Sequence, residues 1–280
     1  MKDPRIDLFD AGYKDLVSVA PPGAPISKGR TTLKGDDLGK RPAKQGNTGW
    51  YGYNWLHSTP SRDEVQAWVS WGANVGLRGT NFPAVDIDVL DPDTSRAITK
   101  LALETLGPAP CRVGRAPKAL LVYRLEGEPF KRAAVKLPCG GLVEVLGDQR
   151  QYLVYGTHPS GAEYRWTGSN LWDVAPERLA PLSQEQVTGF LSLVAERFGG
   201  EVVGRLVSVG EIPEQEELHA PSMDALAACV NAIPNEFDER DEYIAVGMAI
   251  KAAGQEDEEE AYGLFLDWAS RWEGGHNEPE

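Results

Sequence analysis

Hydrophobic and polar positions alternate most cleanly in Val85-Asp86-Ile87-Asp88-Val89. A period of two predicts a strand, and it sends both carboxylates out of one face. The same period returns around Glu144, between Val143 and Val145. Leu16–Val19, Gly72–Gly79, Cys111–Val113, Leu120–Leu125 and Gln151–Tyr155 read as further strands. Helical spacing marks the start of the chain, the residues after Thr59 or Ser61, Asp91–Gly107 and Ser183–Phe198. Between them, Pro21–Gly49 is polar and rich in Pro and Gly, and reads as a long loop. From Pro221 onward only helical patterns occur, at Met223–Ile233, Asp241–Ala253 and Glu256–Trp272, with Gly254 as a stop. The pattern predicts an α+β domain with a mixed or antiparallel sheet over 1–200, a linker over 201–220 and a small all-α domain over 221–280.

Charge sharpens that division. The net charge is −14, yet residues 201–280 hold 20 acids against 4 bases. The first 200 residues are therefore close to neutral, and they are not barred from binding a polyanion. The acidic stretch over Gly204–Ala220 fits a linker. Cys111, Cys139 and Cys229 stand far apart with no CxxC spacing, which argues against a zinc site or disulfide framework and suits a reducing cytosol. No apolar run is long enough for a membrane span and no apolar signal region opens the chain, so the expectation is a cytoplasmic protein with no membrane partner.

Asp86 and Asp88 repel one another across roughly 7 Å on one strand face. A solvated sheet face would tolerate that pair. A divalent cation would use it, since Mg²⁺ and Mn²⁺ take hard oxygen ligands from carboxylates, water and phosphates. Basic residues are available for an anionic ligand. Arg115 and Lys118 occupy the turn Gly114–Lys118, where Arg can bind phosphate bidentately and Lys as a point charge. His158 sits in a Gly/Pro/Ser turn directly after a strand. The polar loop carries Lys40 and Lys44. Trp50, Tyr51, Tyr53 and Trp55 cluster beside these bases. Such aromatics either stack unpaired bases or plug a loop onto the core. Arg78, Trp50 and Lys44 are the candidates for contact with an unpaired nucleic-acid strand.

Asp86-Ile87-Asp88, the Gly114–Lys118 turn followed by Leu120–Tyr123, and Val143-Glu144-Val145 together resemble the primase–polymerase (Prim-Pol) family of the archaeo-eukaryotic primase superfamily, as found in phage and plasmid replication proteins. Tyr155–Gly161 with Tyr164 and Trp166 is similar to the segment after the family's third acid, and Gly39-Lys40-Arg41-Pro42 resembles its N-terminal Gly-Lys-x-Pro. Residues 221–280 look like the helical domain that often follows. One departure stands out. The family's middle motif carries a histidine in a Ser-x-His or Gly-Gly-x-His context, and Gly114–Leu120 has none.

The resemblance implies a DNA primase or DNA polymerase, a nucleotidyltransferase using single-stranded DNA template, primer and (d)NTPs, with a replicative helicase as a further partner. It implies that Asp86, Asp88 and Glu144 are the catalytic acids and bind two Mg²⁺ or Mn²⁺ ions. Arg115, Lys118, His158 and Lys40 would then bind nucleotide, and the host cytoplasm is the expected location if the protein is phage-encoded. Two other readings stay open. One is a catalytically weakened template- or origin-binding module that recruits a helicase, which the missing histidine favours. The other is a metal-dependent nuclease built on the same acids.

Overall fold

The computed structural model describes residues 3–29, 32–203, 219–235, 240–254 and 257–271. It divides into two compact units, 1–209 and 210–280. The first is α+β. Its largest element is a seven-stranded sheet in the order β12-β6-β7-β5-β10-β9-β14, antiparallel throughout. The strands are β5 (Ala84–Asp88), β6 (Cys111–Val113), β7 (Ala119–Val122), β9 (Ala133–Lys136), β10 (Leu142–Leu146), β12 (Arg165–Thr167) and β14 (Glu201–Val203). A three-stranded antiparallel sheet joins β1 (Leu16–Val19), β4 (Asn74–Arg78) and β11 (Gln151–Tyr155). A hairpin, β2 (Ala43–Gly46) with β3 (Gly49–Gly52), and a short parallel pair, β8 (Arg124–Leu125) with β13 (Pro181–Leu182), complete the strands among the described residues.

The alternation read from the sequence sorts the large sheet into two faces. Val85, Ile87, Leu121, Val143 and Val145 point into a core closed by α3 (Pro92–Thr105) and α4 (Gln184–Phe198), through Ile98, Leu101, Val187, Phe190 and Val194. Each such side chain, fully buried, contributes about 1.5–3 kcal/mol. Ala84, Leu120, Val122 and Leu146 point the other way, into a core shared with Leu16, Val75, Leu77 and Tyr152 of the small sheet. The helices α1 (Pro4–Asp10) and α2 (Arg62–Trp71) pack there too, through Leu8, Val65 and Trp68.

Local chemistry starts and stops the helices as expected. Asp91 caps α3 by accepting from the Thr94 amide at 2.8 Å, and Pro92 fills the first turn. Ser61 and Glu64 form a reciprocal capping box at α2, at 3.2 and 3.0 Å, and Gly72 ends that helix at φ 63°.

Two expectations need correction. Pro21–Gly49 is not one long loop, because its second half folds back as β2 and the turn into β3. The turn needs Gly49 at φ 132°, where an added Cβ would lie 2.6 Å from the Pro25 carbonyl. The boundary at residue 200 falls one strand early. Glu201–Val203 pairs with β9 as the edge of the large sheet. Most of the predicted linker, 204–218, lies outside the described residues.

The second unit is all-helical: α5 (Met223–Ala232), α6 (Arg240–Ala253) and α7 (Glu258–Ala269). Leu226, Val230, Ile250, Ala261 and Trp268 form its core. Asn235 donates to the Trp268 carbonyl at 2.9 Å, and the Trp268 indole donates to the Ile233 carbonyl at 3.2 Å. Gly254 follows α6 because an added Cβ would lie 2.4 Å from that of Ala261. No described helix is long and apolar enough to cross a membrane.

Candidate active site

Register decides which side chains meet. Across the large sheet, Arg112 on β6 pairs with Leu120 on β7, Leu120 with Asp86 on β5, and Asp86 with Glu144 on β10. These four form one cross-strand row. Asp88 lies one position further along the same face of β5, opposite Leu142. Nearer the other end of that face, Ala84, Val122 and Leu146 are sealed in the core. The row therefore stands where the buried face opens into a cleft of about 510 Å³.

The cleft is lined by Asp86, Asp88 and Glu144 and by five cations, Arg112, Arg115, Lys118, Arg132 and Arg150, with His158 and Tyr164 on its wall. The sequence-predicted acids and three of the predicted nucleotide ligands, Arg115, Lys118 and His158, are thus brought together. Sequence reasoning misses Arg112, Arg132 and Arg150 as site residues. Arg112 carries a signal, since its place in a three-residue strand gives it the parity of the sheet's open face. Arg132, in the segment before β9, and Arg150, in a turn, carry none.

Burial pushes the Asp86 carboxyl up to about 6, and Glu144 and Asp88 add repulsion that Arg112 and Lys118 partly offset. Asp88 forms an ion pair with Lys118, and Glu144 one with Arg132. Among the described residues no three His, Cys, Asp or Glu side chains are gathered as a ready ligand set for a metal ion. The donor chemistry nonetheless suits a hard divalent cation. All three donors are carboxylates on one face, and Asp86 is enclosed beside like charges. Such a cation would take Asp88 and Glu144 from Lys118 and Arg132.

His158 is held by its turn. Its amide donates to the Ala162 carbonyl at 2.7 Å, and its Nδ1 lies 2.8 Å from the Ser160 hydroxyl. Burial and the fields of Arg112, Lys40, Lys118 and Arg115 lower its pKa. A field of that sign favours a negative charge beside the imidazole. Arg112 donates to the Leu153 carbonyl at 2.7 Å and stacks 4.5 Å from the Tyr164 ring centre, while its Nε has no partner. Gly114 has no room for a side chain, because a Cβ would lie 2.5 Å from Tyr164.

The other predicted residues lie elsewhere. Lys40 is outside the cleft, in a neighbouring groove. None of the three template candidates lines the cleft. Trp50 is buried at 2% exposure, edge-on to Trp71 at 6.0 Å, because its indole is core material. Arg78 is buried too, bound to Asp15 and to the Leu56 carbonyl. Lys44 reaches Glu64 at 3.2 Å and lies over the Tyr53 ring.

Residues 226–278 match the family described as primase C terminal 2 (PriCT-2). The match takes in α6, α7 and most of α5. It gives the helical unit a primase-associated character and points to a primase-related replication protein. No curated protein matches the chain significantly.

Proposed function

We propose that the α+β unit is a primase–polymerase catalytic domain that performs template-directed, metal-dependent nucleotidyl transfer in replication. The observation that carries this reading is the pairing of Asp86 with Glu144 inside a cleft lined by five cations. Carboxylates alone would repel a triphosphate, and cations alone would hold it without chemistry. Their juxtaposition fits a phosphate-bearing substrate and a divalent cation together.

In this reading Asp86, Asp88 and Glu144 hold Mg²⁺ or Mn²⁺. When bound, the cations acidify the attacking hydroxyl and offset charge on the leaving pyrophosphate. Arg115, Lys118 and His158 bind the triphosphate, taking the place of the histidine that the 114–120 segment lacks, and Arg132 and Arg150 add positive charge to the cleft. Tyr164, fixed under Arg112, bounds the pocket for the sugar or base.

A second reading, a template-binding module with weakened catalysis, is favoured by the ion pairs that occupy Asp88 and Glu144. One assay separates the two. The chain is given primed and unprimed single-stranded DNA, dNTPs or NTPs, and Mg²⁺ or Mn²⁺, beside an Asp86→Ala/Asp88→Ala variant. Metal-dependent product that vanishes in the variant is the expected result. DNA that is bound and unchanged would replace the polymerase reading with the binding module, and shortened DNA would replace it with a nuclease.

A further inference from the structure

Beside the cleft runs a second depression of about 430 Å³, bordered by Lys40, Arg41, Trp55, Gln149, Arg150 and Gln151 among others. Arg150 and Gln151 line both, so the two adjoin at these residues. We propose that this groove carries the unpaired template strand into the cleft. The inference rests on the polymerase reading for the word template, and on the groove itself for the strand.

Four observations support it. The groove's charge is one-sided. Lys40, Arg41 and Arg150 face a single acid, Asp37, which already accepts from the Lys34 amide at 2.7 Å and pairs with Arg41 at 3.4 Å. Trp55 is half-buried on Val17, Val19 and Leu153, and its remaining surface lines the groove. A fixed aromatic ring among cations is the arrangement that holds single strands, with bases stacking and phosphates paired.

The frame is also held in place. Gln151 donates to the Lys40 carbonyl at 2.6 Å, tying the basic segment to β11, and the Gly39 amide donates to the Ala20 carbonyl at 2.7 Å. Finally, Gln149 is the one non-glycine at positive φ among the described residues, at 57°, in the turn that presents Arg150 where the two depressions meet. Backbone held in a sparsely populated region concentrates at ligand-binding loops.

The groove also replaces the assignment drawn from composition. Trp50, Arg78 and Lys44 are taken up by core packing and internal ion pairs. Lys40, Arg41 and Trp55 belong to the same stretch of chain as Lys44 and Trp50 but line the groove.

The test is binding of a fluorescently labelled oligo-dT to the full chain, by anisotropy, across a salt series without nucleotide. Lys40→Ala and Arg41→Ala should each weaken binding severalfold and lower the log–log salt slope by about 0.7 for each phosphate no longer neutralised. Trp55→Ala should weaken binding roughly five- to a hundredfold with the slope retained. Lys40→Glu/Arg41→Glu, on an exposed segment, covers the case in which Trp55→Ala misfolds. Unchanged affinity and slope in that charge-reversed variant, or no binding by the wild type, would overturn the proposal. Weakened oligo-dT binding by these variants in a chain that makes no product would support the groove while the polymerase reading fails. Product formation together with unchanged binding by the variants would do the reverse.

Discussion

Asp86 on β5 stands directly opposite Glu144 on β10, and burial with that neighbour pushes the Asp86 carboxyl up to about 6. A carboxyl whose pKa is higher folded than unfolded opposes folding once it ionises. The folded protein binds the extra proton between about pH 4 and 6, so stability falls as pH rises through that window. Above it the cost is on the order of 3 kcal/mol. Asp86→Asn should therefore be more stable than wild type at neutral pH, by several degrees in Tm, and should match it near pH 4. The same variant should make no product. Thermal melts of both proteins at the two pH values check this, and an unchanged melting difference would show that Asp86 carries no such cost.

Burial raises Asp86 most, and a cation would offset both that cost and the added repulsion of Glu144 and Asp88. Mg²⁺ or Mn²⁺ added at neutral pH should raise the wild-type Tm in proportion to log concentration above its dissociation constant, and should leave Asp86→Asn nearly unmoved. Chelation should reverse the shift. Equal shifts in both proteins would place the cation elsewhere.

Arg132 and Lys118 would compete with such a cation. Each already holds one acid of the cleft, Arg132 on Glu144 and Lys118 on Asp88. Removing Arg132 should free Glu144 and tighten Mn²⁺ binding severalfold in the absence of nucleotide, while weakening nucleotide binding. Mn²⁺ titration followed by electron paramagnetic resonance reads the first effect, and calorimetry with a nucleoside triphosphate reads the second. Weaker Mn²⁺ binding by Arg132→Ala would mean that Arg132 shapes the acids for the ion instead of occupying them.

Arg78 separates what the sequence makes legible from what it hides. The strand containing it, bounded by glycines, is plain in the sequence, and so are the alternation on β5 and β10 and the capped helices. Those signals are local: period, caps and turn residues. The row that unites Arg112, Asp86 and Glu144 depends on which strands pair, and pairing across dozens of residues leaves no mark in a single window. The hairpin β2–β3 and the edge strand β14 lack alternation and escape notice for that reason. Exposure is hidden as well. Arg78 and Arg41 look alike in sequence, yet Asp15 draws one into the interior. Arg78→Ala should leave the Asp15 charge with only the Asn81 amide, at 2.7 Å, and destabilise the unit by about 3 kcal/mol. Its salt slope for oligo-dT should stay that of wild type where the protein remains folded. A stable Arg78→Ala with a lowered slope would restore Arg78 to the template path.

The His158 turn depends on one buried amide. Asn74, 2% exposed, donates to the Thr157 carbonyl at 2.7 Å and accepts from the Thr157 amide at 2.9 Å. Gly156 makes room for it at φ 114°, since a Cβ there would lie 2.0 Å from the Asn74 carbonyl oxygen. Asn74→Ala strands two backbone groups, and each buried group left unpaired costs about 1–3 kcal/mol. The loss should be local as well as global, because the turn's other ties are its own short hydrogen bonds. Amide exchange over 156–164 should quicken, and nucleoside triphosphate affinity should drop severalfold as His158 loses its fixed place beside Arg112 and Lys118. Gly156→Ala should do the same by pushing Asn74 away. Faster exchange with unchanged nucleotide affinity in both variants would remove His158 from the binding site and leave the triphosphate to Arg115 and Lys118.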